Sequence, residues 1–545
     1  MKPKKSKDIE MKAAVLIGAT VLVVLLSVAT LLLYIQDLRQ GQAKHEASSP
    51  PVTKTSAETA IARENAQPGT IGWQIPPGKG ATTQIQAYAD ARSVAPGQTL
   101  TFYASTQQAG TSYTIGIYRL GWYQGMGGRL MTSSPALIGQ AQGYYAPNSG
   151  RLIGCASCYV DSQTGLIEAR WRPSYRLTVP TGWTSGIYLA KFIDAHNMQT
   201  YATFDVIDPH SSSTYVAVTA DTTYAAYNSW GGRSLYDSLS VGKRASKVSF
   251  ERPSVEQNGS DQVLIFEANA ILWLERQGYD LSYMSSVDLH TNPTSLLRHK
   301  AYISIGHDEY WSKEMRDGVE QARDHGVSLA FLEADSAYWQ MRFEPDTAGN
   351  PNRTIVCYKV LTGDHNLALD PLYGKDNSRV TSQWRDPVIN RPENALIGIM
   401  YSDLTHKQRG YPWVVDKAAT SSLLKGDGLT PGQPYGCGLV GYEWDKIFPN
   451  GATPKNLQIL ATSPVQNDAG QPDHSNTTIY IAPSRAVVFA SGAIYWTAAL
   501  DAYRYSPDPA CENRNPIIPG VQLLMANVMH ALIAPQTLQS SYRPA

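Results

Sequence analysis

The spacing of apolar positions changes several times along the chain. Ala13 to Ile35, "AAVLIGATVLVVLLSVATLLLYI", runs 23 residues without a charge, and a bilayer core takes about 20. A cleaved signal peptide has an apolar core of only about 7–15 residues before a small-residue cleavage site. The stretch therefore predicts an uncleaved transmembrane signal anchor over 13–35, behind a basic tail over 1–12. Residues 36–80 are rich in Ala, Ser, Thr, Gln and Pro without an apolar period, and predict a linker. From 81 to 209 the apolar runs are short and broken by turn residues, as in "IQAYADARSVAPGQTLTFYAST" and "SYTIGIYRLGWY". That pattern predicts an Ig-like β-sandwich.

From 210 to 535 the period alternates. "STYVAVTA" is a β-branched apolar run, whereas Val263, Phe266, Ala270, Ile271 and Leu274 repeat at helical spacing before Gly278. "YDLSYMS", "AYISIG" and "VSLAFLEA" are further short apolar runs. Between the last two, "SKEMRDGVEQARDHG" is helical, with Ser312 placed as N-cap and Gly326 just past the end. Strands alternating with helices predict a parallel-sheet α/β domain of flavodoxin-like type, covered on both faces. The predicted architecture is thus a transmembrane helix, a β-sandwich and an α/β domain.

Composition narrows the reading. The formal net charge is zero, with 46 basic against 46 acidic residues, and nothing points to nucleic acid. Charged residues are only 17% of the chain while Tyr (32) and Trp (12) are plentiful, which suits an extracytoplasmic protein with strand-rich parts. The tail "MKPKKSKDIEMK" carries five Lys against two acids. It predicts a single-pass cell-membrane protein with a cytoplasmic N-terminus and the bulk outside, its one membrane partner being the bilayer around 13–35. Five Cys in such a compartment invite disulfides. Cys155 and Cys158 share one short loop and are expected to pair.

The densest chemistry is "SIGHDEYWSKEM", Ser304 to Met315, where a predicted strand hands over to a helix. In an open parallel sheet, ligands sit beyond the carboxyl ends of the strands. "ADTTYAAYNSWGG" and "EADSAYWQMRF" end two other strands, so three polar-aromatic loops converge on one crevice. His307 and Glu309 are the candidate catalytic groups, with His307 either a base or the group that orients a carboxylate. The other reading of the cluster is structural: Tyr310 and Trp311 pack under the helix, and Asp308 and Glu309 form its solvated first turn.

"IYRLGWYQGMGGRLM", "DTTYAAYNSWGGRSLY", "GHDEYWSKEM", "RPENALIG" and "AVVFASGAIYW" resemble the family of the N,N-dimethylformamidase large (beta) subunit. The resemblance implies a β-sandwich joined to a domain resembling class I glutamine amidotransferases. It also implies a mononuclear iron held by two Tyr and one Glu, polarising an amide carbonyl and activating water. Phenolates are hard donors that suit ferric iron. Tyr310 is the first ligand in this reading, Tyr279 or Tyr283 the second and Glu393 or Glu443 the third. Tyr279 and Tyr283 enter because their strand is expected to neighbour that of Tyr310.

The chain also departs from its relatives. The amidotransferase nucleophile, a Cys at the strand-to-helix turn, is missing from Gly306–Glu309, and no G-x-S-x-G occurs. The formamidase small subunit is a separate chain. Two functions therefore stand: an amidase-like hydrolase of a small amide, or a non-catalytic surface protein binding carbohydrate or envelope polymer. In the second, Tyr224, Tyr227, Trp230, Tyr338 and Trp339 would stack on the ligand.

Overall fold

In the computed structural model of the chain, the described residues are 58–407, 410–426, 428–503 and 517–539. They begin with a short helix α1 (Ala60–Asn65). Two sheets follow. One has the order β1 (Ile85–Ala89), β3 (Thr99–Thr106), β6 (Tyr175–Thr178). The other runs β2 (Ser93–Val94), β8 (Gln199–Val206), β7 (Gly186–Asp194), β4 (Ser112–Leu120), β5 (Gly128–Ser133), with Leu137–Ile138 also paired to β4. Both contribute to one apolar core: Ile85, Phe102 and Leu177 from the first meet Ile115, Tyr188, Phe192 and Phe204 from the second. The alternating pattern of these strands puts every second side chain on that shared face. Beyond the first sheet, the short loop around Cys155 and Cys158 is closed by a disulfide between them.

The largest sheet has seven strands, in the order β11 (Leu281–Ser285), β9 (Tyr215–Thr219), β12 (Ala301–Ser304), β14 (Ser328–Phe331), β19 (Val487–Ala490), β18 (Pro472–Ile481), β17 (Gln458–Gln466). The first five are parallel, and the last two are antiparallel. Alternate residues of its strands enter two cores. Ala217, Tyr283, Ile303 and Ala330 face α4 (Ala268–Arg276) and α7 (Pro519–Ile533). Val216, Val218, Met284, Tyr302 and Leu329 face α5 (Ser286–Thr291) and α6 (Lys313–Asp324). A smaller sheet, β10 (Lys247–Ser249), β16 (Thr354–Val356), β15 (Trp339–Glu344), β13 (Tyr310–Ser312), lies on this second side.

This architecture corrects the expected fold class. The described residues are mostly β, spread over eight sheets with few helices. The strand–helix alternation stops after α6. Between Phe331 and Gln458 the described residues form short strands, 3-10 turns and one four-residue helix, Asn394–Ile397, rather than crossover helices. Loop segments rich in Gly, Pro and Asp carry that long connection, and apolar period gives no warning of it. No likeness to glutamine amidotransferases is shown. The expected membrane anchor is corrected too. Among the described residues no helix is long and apolar enough to cross a membrane, and the stretch 13–35 lies outside them. The single-pass topology and outward orientation are therefore not retained.

One titratable group in the scaffold gives a pH prediction. Glu256, in a 3-10 turn against β8, is pushed up to about 7 by burial and by the nearby Asp261 carboxylate. An unfolded Glu titrates near 4.3. The folded state thus holds the extra proton between those values, and this group's contribution to stability falls as pH rises through that window. Glu256→Gln is expected to flatten the slope of denaturant-midpoint stability between pH 4.5 and 7.5. An unchanged slope would remove Glu256 from the account.

Candidate metal and hydrolase site

The site forms where β9, β12 and β14 end. After Ser304 the chain turns at Gly306, whose φ is +98°. A Cβ there would stand 2.5 Å from Tyr224 Oη and 2.8 Å from Glu267 Cγ, so only glycine fits. The turn points His307 inward, between the rings of Tyr227 and Phe266 at 5.4 and 5.5 Å. After β14, Asp335 and Ala337 take left-handed backbone at φ 59° and 51°. Such strained positions are held only when the surroundings demand them. They bring the Asp335 carboxylate to the same place.

Glu309 is the hub. It is buried, and its N–H donates to Thr223 Oγ1 at 2.9 Å. Tyr227 donates to Glu309 Oε2 at 3.0 Å, and Tyr236 lies 2.7 and 2.6 Å from its two oxygens. Tyr227 ends α2 (Asp221–Tyr227), and Tyr236 follows nine residues later, beyond a glycine-rich turn. Tyr310 donates to Tyr236 Oη at 2.8 Å, one hydrogen bond further back. The Lys359 ammonium sits 3.4 Å from the centre of the Tyr236 ring, with Trp339 and Tyr310 beside it.

His307 stands amid carboxylates. Its Nε2 is 3.7 Å from Glu309 Oε2, 3.9 Å from Asp335 Oδ2 and 3.5 Å from Glu443 Oε2. Among the described residues neither ring nitrogen of His307 has a hydrogen-bond partner, and neither does Asp335 Oδ1 nor Glu443 Oε2. Buried polar atoms are rarely left so. Burial pushes Glu443 well above the usual carboxylate range, against the pull of His307. Burial, with Glu309 and Asp445 alongside, does the same to Asp335. Burial lowers Lys359 to about 8, while the Glu309 charge opposes the shift. Burial raises Tyr227, Tyr236 and Tyr310, with the Glu309 charge second in each.

Two donor sets share this chamber. His307, Asp335 and Glu443 can each offer one ligand atom within 4.8 Å of the others. Tyr227, Tyr236 and Glu309 form the tighter set. Their phenol-to-carboxylate distances of 2.6–3.0 Å are those of O–H···O hydrogen bonds. Two phenols and one carboxylate are also the hard oxygen chemistry that suits iron.

Not all of the sequence-derived candidates meet here. His307, Glu309, Tyr310 and Glu443 do. Tyr279 and Tyr283 do not: β9 lies between their strand β11 and β12, and Tyr283 packs on the opposite face of the sheet from Tyr310. Tyr283 donates to Glu275 at 3.0 Å, and Tyr279 packs edge-on against Tyr215. Glu393 is paired with Arg385 at 3.1 Å, away from the phenols. Tyr227 and Tyr236, both inside the quoted "DTTYAAYNSWGGRSLY", lie against Glu309 instead, with Asp335 beside His307 and Lys359 over the Tyr236 ring. Cys357 offers no substitute nucleophile, because burial raises its thiol to about 11.

Buried acids and one imidazole, with two partly buried phenols against them, thus gather at the ends of these strands. A family profile described as N,N-dimethylformamidase beta subunit-like, C-terminal, matches residues 114–513, and the chain belongs to that family. It is 21% identical over 356 residues to the N,N-dimethylformamidase beta subunit of Alcaligenes sp, covering 55% of this chain and 45% of that protein. Against the N,N-dimethylformamidase beta subunit of Paracoccus aminophilus it is 22% identical over 425 residues, covering 64% and 54%. The chain thus spans about half the length of these curated relatives. Among solved structures it is similar to a Paenibacillus sp. cycloisomaltooligosaccharide glucanotransferase at 9% identity over 75% of this chain and 68% of that one. The TM-score there is 0.17, too low for a shared fold.

Proposed function

We propose that the chain is an amidase-like hydrolase acting on small amides, with iron held by Tyr227, Tyr236 and Glu309. One observation carries this reading: two partly buried phenols converge on one buried carboxylate beside an imidazole and two carboxylate oxygens that lack partners among the described residues. Bound iron would polarise the amide carbonyl and make a water acidic enough to lose its proton near neutral pH. The chain's own groups do the rest. Glu443 Oε2, free of other hydrogen bonds among the described residues, takes the proton from the attacking water. His307 Nε2 lies 3.5 Å from that carboxylate and pairs with it when the imidazole is protonated. Lys359, held over the Tyr236 ring, is the acid available to the leaving nitrogen. Tyr310 fixes the Tyr236 phenol through their hydrogen bond.

The non-catalytic reading finds less support. Tyr224, Trp230 and Trp339 are buried, and Tyr224 and Trp230 are hydrogen-bonded to Glu267 and Gln86. They present no stacking platform to a polymer.

Turnover is tested with a panel of N-alkyl formamides and acetamides, by measuring the amine released. Glu443→Gln is expected to lower kcat about 10²–10⁴-fold, the usual weight of a general base, with metal content unchanged. Full activity in this variant would assign the base elsewhere.

A further inference from the structure

The turn that carries the chain from Tyr227 to Tyr236 is built around one buried cation. The Leu235 N–H closes its base by donating to the Ala226 carbonyl at 2.9 Å. Gly231 and Gly232 both take φ +80°, so the backbone doubles back on itself. Three of its carbonyls then accept from a single side chain. Arg252 Nη1 donates to Trp230 O at 2.9 Å and to Arg233 O at 2.8 Å, and Nη2 donates to Asn228 O at 2.8 Å. One guanidinium thus joins the residue after Tyr227 to a residue three before Tyr236. The two phenol rings end up 4.4 Å apart, centre to centre.

Arg252 reaches the turn from outside it, three residues past β10, and is only 3% exposed. Burial pushes its guanidinium down to about 9, with no carboxylate opposing the shift, so it stays charged at neutral pH. Its Nε has no hydrogen-bond partner among the described residues. A buried charge without a counter-ion is costly to keep. The three carbonyls are what this one meets, and a planar guanidinium, with its N–H groups in fixed directions, holds them in one geometry.

We infer that Arg252 is a positioning residue: it fixes the turn between Tyr227 and Tyr236, and with it the place where the Tyr236 phenol meets Glu309. Its effect on turnover rests on the amidase reading, whereas the placement of Tyr236 does not.

The test compares the full chain with Arg252→Gln and Arg252→Lys, by crystal structure, steady-state amine release and denaturant midpoint. The lysine keeps the positive charge without the planar fork, so it separates charge from geometry. In both variants Tyr236 is expected to move out of hydrogen-bond distance of Glu309, while Tyr227, carried by α2, stays within it. The expected fall in kcat is about 10²-fold, the effect of a misplacement of about 1 Å, with KM within about twofold of the parent. A role in stability alone would shift the midpoint and leave the Tyr236 contact and kcat unchanged, and that result would overturn the inference. So would Tyr236 kept on both Glu309 oxygens in Arg252→Lys, the variant that decides if the glutamine variant does not fold. A parent chain without turnover would dismiss the amidase reading, and the position of Tyr236 in the variants would still decide this one.

Discussion

Glu309→Gln is expected to reduce amide turnover by roughly 10³-fold or more, because a metal's contribution to such a reaction is several kcal/mol. The substitution keeps the shape of the side chain but halves its acceptor oxygens. Both phenols lie on this carboxylate, at 3.0 Å and at 2.6–2.7 Å, so neither keeps its geometry. It also removes the nearest negative charge to Lys359 and one of the three carboxylates around His307. The fold is expected to survive. Glu309 sits at the end of a strand rather than inside the apolar clusters, and relief of crowding among buried acids offsets the lost hydrogen bonds. The test is steady-state amine release from the best substrate of the panel, alongside the denaturant midpoint. Near-normal turnover with an intact fold would show that Glu309 is only a structural acceptor.

Arg119 and Glu275 carry the largest expected effect on stability. Arg119, in β4, meets Glu275, in α4, through two hydrogen bonds of 2.7 and 2.9 Å, and both side chains are fully buried. Asn65 and Tyr283 add bonds to the same carboxylate at 2.8 and 3.0 Å. The pair therefore ties the two-sheet region to the helix layer of the seven-stranded sheet. Breaking a buried pair by removing one partner costs about 3–5 kcal/mol, because the remaining charge stays desolvated. Glu275→Leu alone is expected to lose about that much, read as a shift in denaturant midpoint at constant slope. Arg119→Met added to Glu275→Leu is expected to recover part of the loss. A single variant as stable as the parent would show that water reaches the guanidinium.

The sequence made some of this legible. Ser312 caps α6, accepting from the Met315 N–H at 3.1 Å, and Gly326 follows with φ +92°. Capping is local chemistry, and local chemistry can be read along a chain. The crowding of His307, Glu309 and Tyr310 at a strand end was legible for the same reason. The partner phenols were not. Picking Tyr279 or Tyr283 required knowing which strands are neighbours, and apolar period says nothing about β9 entering between β11 and β12. Tyr236 reaches Glu309 only because the turn around Trp230 and Gly231 folds back, with Gly231 at φ +80°. Asp335 reaches His307 through a left-handed turn that no residue preference announces. The mostly β architecture was hidden as well, since the strands between Phe331 and Gln458 are only two to six residues long, too brief to show a period.

The most direct test of the central claim is the iron content of the purified protein, together with its visible absorption. Iron on two phenolates gives a charge-transfer band. The account predicts about one iron per chain and a coloured protein, with both lost in Tyr236→Phe and in Glu309→Gln while these variants unfold at normal denaturant concentrations. Tyr310→Phe, one hydrogen bond behind Tyr236, is predicted to shift the band. A colourless wild type with no bound metal, or full iron in Tyr236→Phe, would contradict it.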